Sequence, residues 1–219
     1  MYGILLNLKG PLQSYGSSDT FEYRGTDYHP SKSAIIGLIA SSLGYRRTES
    51  SKIKELNNLK VIFTTLKRGN LLEDYHTAFK YKKDGSLERT YVTKRVYLSD
   101  WNFLVLICHE KKEYIDKIYY AMKNPYFFQS LGRRSCIANY DLVASEVVKI
   151  DIPLDFFVNY CNDVLSFDDD VLTVCADKEL ITNEDSLLIR GDLVKSFSQK
   201  NRSFGKRVEK VKIFNKDSY

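Results

Sequence analysis

Apolar positions along the first 150 residues switch between two periods, and each switch marks an element. Residues 2–8, Tyr2-Gly3-Ile4-Leu5-Leu6-Asn7-Leu8, form a short apolar run suited to a buried strand. A long polar connection follows, with Gly16, Ser17, Ser18, Gly25 and Asp27 as turn residues. Ile35, Leu38, Ile39 and Leu43 then recur at helical spacing, so a helix is expected over 32–43, capped by Ser31 or Ser33 and stopped by Gly44. A short helix near 52–56 precedes a β-branched strand at 60–66. Residues 71–97 read as a protruding hairpin or mobile arm with Lys83-Asp84-Gly85-Ser86 at its tip. A strand at 100–109, a helix at 113–123 closed by Pro125, and a strand at 143–150 complete the order β-α-β-β-α-β. That order predicts an α+β, ferredoxin-like domain of the RNA-recognition (RRM) type over 1–150. Beyond it the pattern weakens. Strands are expected at 171–175, 187–190 and 207–214, in a small β-rich C-terminal appendage covering 151–219.

Composition narrows the class. With 219 residues and 43% hydrophobic content the chain is globular and long enough to bury roughly 70% of its unfolded surface. No apolar run approaches the roughly 18–20 residues that span a bilayer, and the opening residues lack the basic flank of a secretory signal, so no membrane partner is expected. Cys108, Cys136, Cys161 and Cys175 form no Cys-x-x-Cys, which predicts buried, reduced thiols in a cytoplasmic protein and no zinc site. The net charge of +5 is unevenly placed. Basic residues crowd 60–97 and 190–219, including Arg190, Arg202, Arg207 and Lys216, whereas Asp163, Asp168, Asp169, Asp170, Asp177, Glu184 and Asp185 form an acidic block between them. Basic stretches interleaved with tyrosine and phenylalanine favour a single-stranded nucleic-acid surface. The acidic block suits solvent or a protein partner.

Two N-terminal segments stand out chemically. Gly10-Pro11-Leu12-Gln13-Ser14-Tyr15-Gly16 ends the first strand, and Pro30-Ser31-Lys32-Ser33-Ala34-Ile35-Ile36-Gly37-Leu38 opens the helix. A backbone turn beside a cationic helix start fits a phosphate chain, with Lys32 and Ser33 as ligands. The first segment is equally readable as a plain strand-to-loop turn. Lys32 opposes the helix dipole, a conflict that a bound phosphate would remove. No Gly-x-x-x-x-Gly-Lys run is present, so a nucleotide-hydrolysing loop is unsupported.

On the hairpin, Tyr75-His76-Thr77 precede Tyr91, Lys94, Arg95 and Tyr97. They read as an exposed basic ribbon or as an RNA contact, where stacking contributes roughly 1–3 kcal/mol per base. A third reading is a metal-independent endoribonuclease with His76 or His29 moving the 2′-OH proton. Leu131-Gly132-Arg133-Arg134-Ser135-Cys136 carries adjacent arginines that project differently. One fits a phosphate clamp and the other an internal partner, on what is otherwise a structural turn. Trp101 is expected to pack under the hairpin. Arg202 and Arg207, near Phe197 and Phe204, form either a solvated face or a further RNA or protein contact.

Five segments in register over residues 3–136 carry a family resemblance: the two above, Asp74-Tyr75-His76-Thr77, Tyr97-Leu98-Ser99-Asp100 and the Leu131–Cys136 run. Together they resemble the CasD family of type I-E CRISPR Cascade. Tyr15 stands where a tryptophan is common, Trp101 where a small residue is typical, and 137–140 lacks the expected prolines. The resemblance implies a RAMP-type ferredoxin-like domain whose hairpin, about 71–97, is a thumb. It implies a non-catalytic subunit that holds the crRNA 5′ handle and caps the complex, touching an adjacent backbone subunit and the large PAM-reading subunit, with target DNA as a further contact within the complex. Lys32, Arg133 and Arg134 would meet handle phosphates, joined by Lys94 and Arg95. Gln13, Ser14, Tyr75 and His76 would meet bases or ribose, and Tyr15 would keep a stacking ring. No metal or cofactor is implied. A related lineage that cleaves repeat RNA supplies the enzymatic alternative.

Overall fold

The structure is a computed structural model, described for residues 1–16, 22–164, 171–182 and 186–215. Ser17, Ser18, Asp168, Asp169, Asp170, Glu184, Asp185 and Lys216, which entered the turn and charge readings, lie outside the described residues. In chain order the elements are β1 (Tyr2–Lys9), β2 (Leu12–Gln13), β3 (Tyr23–Arg24), α1 (Lys32–Ser42), α2 (Ser50–Glu55), β4 (Lys60–Lys67), β5 (Asn70–Tyr81) and β6 (Leu87–Ser99). They continue with β7 (Asn102–His109), α3 (Lys112–Lys123), β8 (Val148–Lys149), α4 (Pro153–Val164), β9 (Val171–Asp177), β10 (Ser186–Ser196) and β11 (Ser203–Asn215). Short 3-10 turns occupy Leu56–Asn58 and Lys178–Leu180.

Seven strands form one sheet in the order β10-β11-β9-β4-β7-β1-β8, every neighbour antiparallel. Next to the central β4 lies β7, whose Phe103–Cys108 run is buried on both faces. One face carries α1 and α3. Ile35, Ile36 and Ile39 of α1 and Ile115, Ile118 and Met122 of α3 pack there on Ile4, Leu6, Val61, Phe63, Val105 and Ile107. Ser31 caps α1, its hydroxyl accepting from the Ala34 amide at 3.2 Å.

The other face is covered by α4, where only strands had been expected. Leu154, Phe157, Val158 and Cys161 bury against Leu5, Ile62, Leu104, Leu106 and Val174. Their i, i+3, i+4, i+7 spacing behind Pro153 is a helix signature in its own right. The strands beyond residue 150 also join the main sheet rather than standing apart: β9 inserts between β4 and β11.

The strand expected over 143–150 shrinks to Val148–Lys149. Leu142 and Ala144 do bond across to Asn7 and Leu5. Between these ends the Ser145 hydroxyl replaces a backbone acceptor for the Leu5 amide at 2.9 Å, and the segment leaves the ladder.

β5 and β6 form a long antiparallel ribbon that extends from the core, with most of its side chains exposed. At its base β6 pairs with β2 and, in parallel, with β3, making a second small sheet. No helix among the described residues is long and apolar enough to cross a membrane.

Candidate nucleic-acid interface

The motifs that dominate the sequence converge on the base of the hairpin, where they hold the chain together. Gln13 is fully buried. Its Nε2 donates to the carbonyls of Leu8 at 3.3 Å and Trp101 at 2.6 Å, and its Oε1 accepts from the Tyr15 hydroxyl at 2.6 Å. The Ser14 amide donates to the Leu131 carbonyl at 3.1 Å and its hydroxyl to Val96 at 3.3 Å. The Tyr15 ring meets Phe103 edge-on at 5.9 Å, and burial pushes its phenol well above the usual tyrosine range. Gln13, Ser14 and Tyr15 therefore face the interior of the chain, not its surface. Their polar atoms are already committed, and moving them to RNA would leave buried carbonyls unpaired.

Arg133 belongs to the same junction. Its guanidinium donates to the carbonyls of Val96 at 3.2 Å, Arg24 at 2.8 Å and Gly25 at 2.9 Å, and lies 5.1 Å from the Tyr97 ring centre. Five donors in a planar fork suit this stitching of three chain segments. Its neighbour Arg134 is exposed. Trp101 stacks on Phe103 at 5.7 Å beneath the ribbon, as its position suggested.

Lys32, expected at a phosphate, and Arg207, expected on a solvated face or at an RNA or protein contact, instead share carboxylate partners inside the protein. Their side chains are only 5% and 7% exposed. Lys32 Nζ donates to Asp177 at 2.8 Å. Arg207 reaches Asp177 at 3.2 Å, Asp192 at 2.7 Å and Glu209 at 2.6 Å. The Lys32 amide donates to Asp192 at 2.7 Å, so a carboxylate from β10 sits at the α1 N-terminus where a phosphate had been expected. Burial pulls the Lys32 ammonium below its ordinary value against the opposing pull of Asp177. Burial also works against Arg207, but its hydrogen bond to Asp192 and the nearby Glu209 and Asp177 hold it above its ordinary range. Ser33 is half-buried, with its hydroxyl 3.1 Å from that of Ser31.

His29 lies at the margin of this network. Its Nδ1 donates to the Pro30 carbonyl at 3.1 Å, and its Nε2 faces Arg190. Ligand atoms of His29, Cys175 and Glu209 lie within 4.8 Å of one another. Glu209, however, is bound by Arg190 at 3.2 Å and by Arg207, so these guanidiniums occupy the place a cation would take. His76 stands elsewhere, on the ribbon opposite Thr93.

What remains at the surface is concentrated on the ribbon. Lys94 is in register with Tyr23 on one side and Tyr75 on the other, so the three side chains stand abreast across β3, β6 and β5. Tyr23 and Tyr75 are 48% and 61% exposed. Glu73 hydrogen-bonds Lys94 at 2.9 Å and holds its ammonium above its ordinary value. Arg95 is half-buried, and its Nε has no hydrogen-bond partner among the described residues. Exposed Phe79 and Tyr81, with ring centres 6.4 Å apart, extend the aromatic row toward the tip. Tyr75-x-Thr77-x-Phe79-x-Tyr81 shows this period of two in the sequence, whereas the parallel pairing that brings Tyr23 alongside has no local signal. Arg202 is exposed over the Phe204 ring at 5.3 Å.

A family model described as CRISPR-associated protein (Cas_Cas5) matches residues 3–208. The CRISPR system Cascade subunit CasD of Escherichia coli (strain K12) is 30% identical over 173 residues, covering 72% of this chain and 76% of that protein. A solved chain titled CRISPR RNA-guided surveillance complex superposes with a TM-score of 0.77 at 26% identity, covering 97% of this chain and 90% of that one. Another, titled Crystal structure of Cas protein, gives 0.70 at 25% identity, with coverages of 98% and 96%. On the extent of these matches, the chain belongs to the CRISPR-associated Cas5 family.

Proposed function

We propose that this chain is a non-catalytic subunit of a type I-E CRISPR interference complex, Cascade, that binds the 5′ handle of crRNA and caps the backbone. In that role it touches the adjacent backbone subunit and the large subunit. Residues 1–150 serve as a RAMP-type ferredoxin-like domain, in which the β4-β7-β1-β8 strand order matches the 2-3-1-4 order of that fold. Residues 151–219 extend it. The β5–β6 ribbon acts as the thumb. The observation that carries the reading is the Tyr23–Lys94–Tyr75 row on an extended ribbon, in a chain 30% identical to a Cascade subunit. A cation between two exposed rings fits a phosphate flanked by stacked bases. Tyr75, His76, Lys94 and Arg134 are the side chains offered to RNA, with Arg95 and Arg202 at the margins.

The test mixes purified protein and its partner subunits with labelled repeat-derived RNA in chelator across a salt series. Binding of intact RNA is expected, with log affinity falling by about 0.7 per phosphate neutralised for each unit of log salt. Tyr75→Ala should weaken it by about 1–3 kcal/mol. A discrete cut that His76→Ala abolishes would replace this reading with the processing nuclease, and absence of binding would refute it.

A further inference from the structure

At the β10 edge, the outer side of the strand is covered only in part. Near its C-terminal half the Asn57 carboxamide donates to the Val194 carbonyl at 2.8 Å and accepts from the Val194 amide at 3.1 Å. One side chain thus substitutes for a paired strand. The half from Ser186 to Arg190 has no such cover among the described residues. It carries Leu187, Leu188 and Ile189 in succession, 61%, 40% and 72% exposed. Leu187 and Ile189 lie opposite Lys210 and Val208 on one face, and Leu188 lies opposite Glu209 on the other. Apolar side chains on both faces of an unpaired edge are a hazard that folded proteins usually remove with charge, proline or a bulge.

Beside this edge opens a cleft of about 400 Å³ walled by Ile189, Leu193 and Val208, with Lys60, Lys178 and Lys206 outnumbering the carboxylates Asp177 and Glu179, which are themselves paired with cations. Lys60 is paired with Glu179 at 3.1 Å. Lys178 and Lys206 are exposed and have no ion pair among the described residues. Apolar walls with a cationic rim suit a carboxylate-bearing side chain reaching in from the edge.

We infer that the Ser186–Arg190 edge of β10 is a docking strand for an extended, acidic segment of a neighbouring protein subunit, which adds to the sheet and places a carboxylate in the adjacent cleft. The inference rests on the assembly-subunit reading above. The backbone of an edge strand offers alternating donors and acceptors that an extended peptide matches and a nucleic acid does not. The three exposed residues are aliphatic, so they provide no ring for base stacking.

The experiment compares amide hydrogen exchange over residues 186–190 in three preparations: the chain alone, the chain with guide RNA, and the complete assembly purified with its other protein subunits. Exchange in this segment should slow at least tenfold only in the complete assembly. Leu187→Lys combined with Ile189→Lys should leave the thermal midpoint of the isolated chain unchanged and weaken its incorporation at least tenfold. Lys178→Glu combined with Lys206→Glu should also weaken incorporation, and Ile213→Lys, exposed on β11, should not. Protection by RNA alone would make this a nucleic-acid surface and overturn the inference. Concentration-dependent protection in the chain alone would assign the edge to a second copy and overturn it as well. Unchanged exchange in the assembly, or normal incorporation of both double variants, would also refute it. Failure of the wild-type chain to join any assembly appears at purification, before exchange is read, and would overturn the functional reading itself.

Discussion

Asp177 is the residue on which the buried charge network turns. It accepts from Lys32, from Arg207 and from the Val61 amide at 3.1 Å, joining α1, β4, β9 and β11. Asp177→Ala would leave two buried cations short of a counter-charge, and a loss of about 3–5 kcal/mol is expected in urea unfolding. Lys32 is thus a poor probe of RNA contact, because its loss acts through the fold. Asp27 behaves differently. Burial raises its carboxyl above the ordinary value of 3.8, against the pull of Arg190 and His29. Its ionised form is therefore disfavoured in the folded state, at a cost present above the raised value and lost as pH falls toward 3.8. Asp27→Asn should be slightly more stable than wild type at neutral pH, by less than about 1 kcal/mol, and the gain should vanish in thermal melts taken near pH 4. A constant difference across that range would refute the assignment.

The hairpin base shows how the most eye-catching motifs are spent on holding the chain together. Gly132 has a φ of 86°, and a Cβ there would lie 1.8 Å from the Ser14 carbonyl oxygen. Two of the segments that carry the family resemblance thus touch backbone to backbone, and only glycine fits between them. Gly132→Ala should either part them or misfold the base, with a cost on the order of 3 kcal/mol and a visible change in Trp101 fluorescence. A variant as stable as wild type would show that the junction tolerates separation. The periods in the sequence revealed β1, α1, β4, β7 and α3 to within about two residues, because each buries one continuous stripe or run. They also marked the hairpin. They did not reveal that Gln13 and Lys32 are buried, since their partners lie 88 and up to 160 residues away along the chain, nor that Arg207 is, since two of its three carboxylates come from β9 and β10. The α4 helix was legible in Leu154, Phe157, Val158 and Cys161 but was obscured by the acidic surroundings.

The sheet, the two layers of helices and the ribbon together divide the chain into a charged, buried lock on one side and an aromatic, exposed arm on the other. All four cysteines are sealed in the first part. Burial raises the Cys108, Cys161 and Cys175 thiols to about 12. A disulfide reagent at pH 8 should therefore react with them only as fast as the protein unfolds, whereas a rapid stoichiometric burst would refute the packing described. The way β9 is inserted also matters while the chain is being made. Its slot lies between β4, which leaves the ribosome well before it, and β11, which leaves after it. Until residue 177 arrives, Lys32 has no carboxylate to accompany it out of water, and until residue 207 arrives that carboxylate lacks its second cation. A nascent chain can therefore assemble the helices on the first strands but must wait, with one flank of β4 open, until β9 has been synthesised more than a hundred residues later.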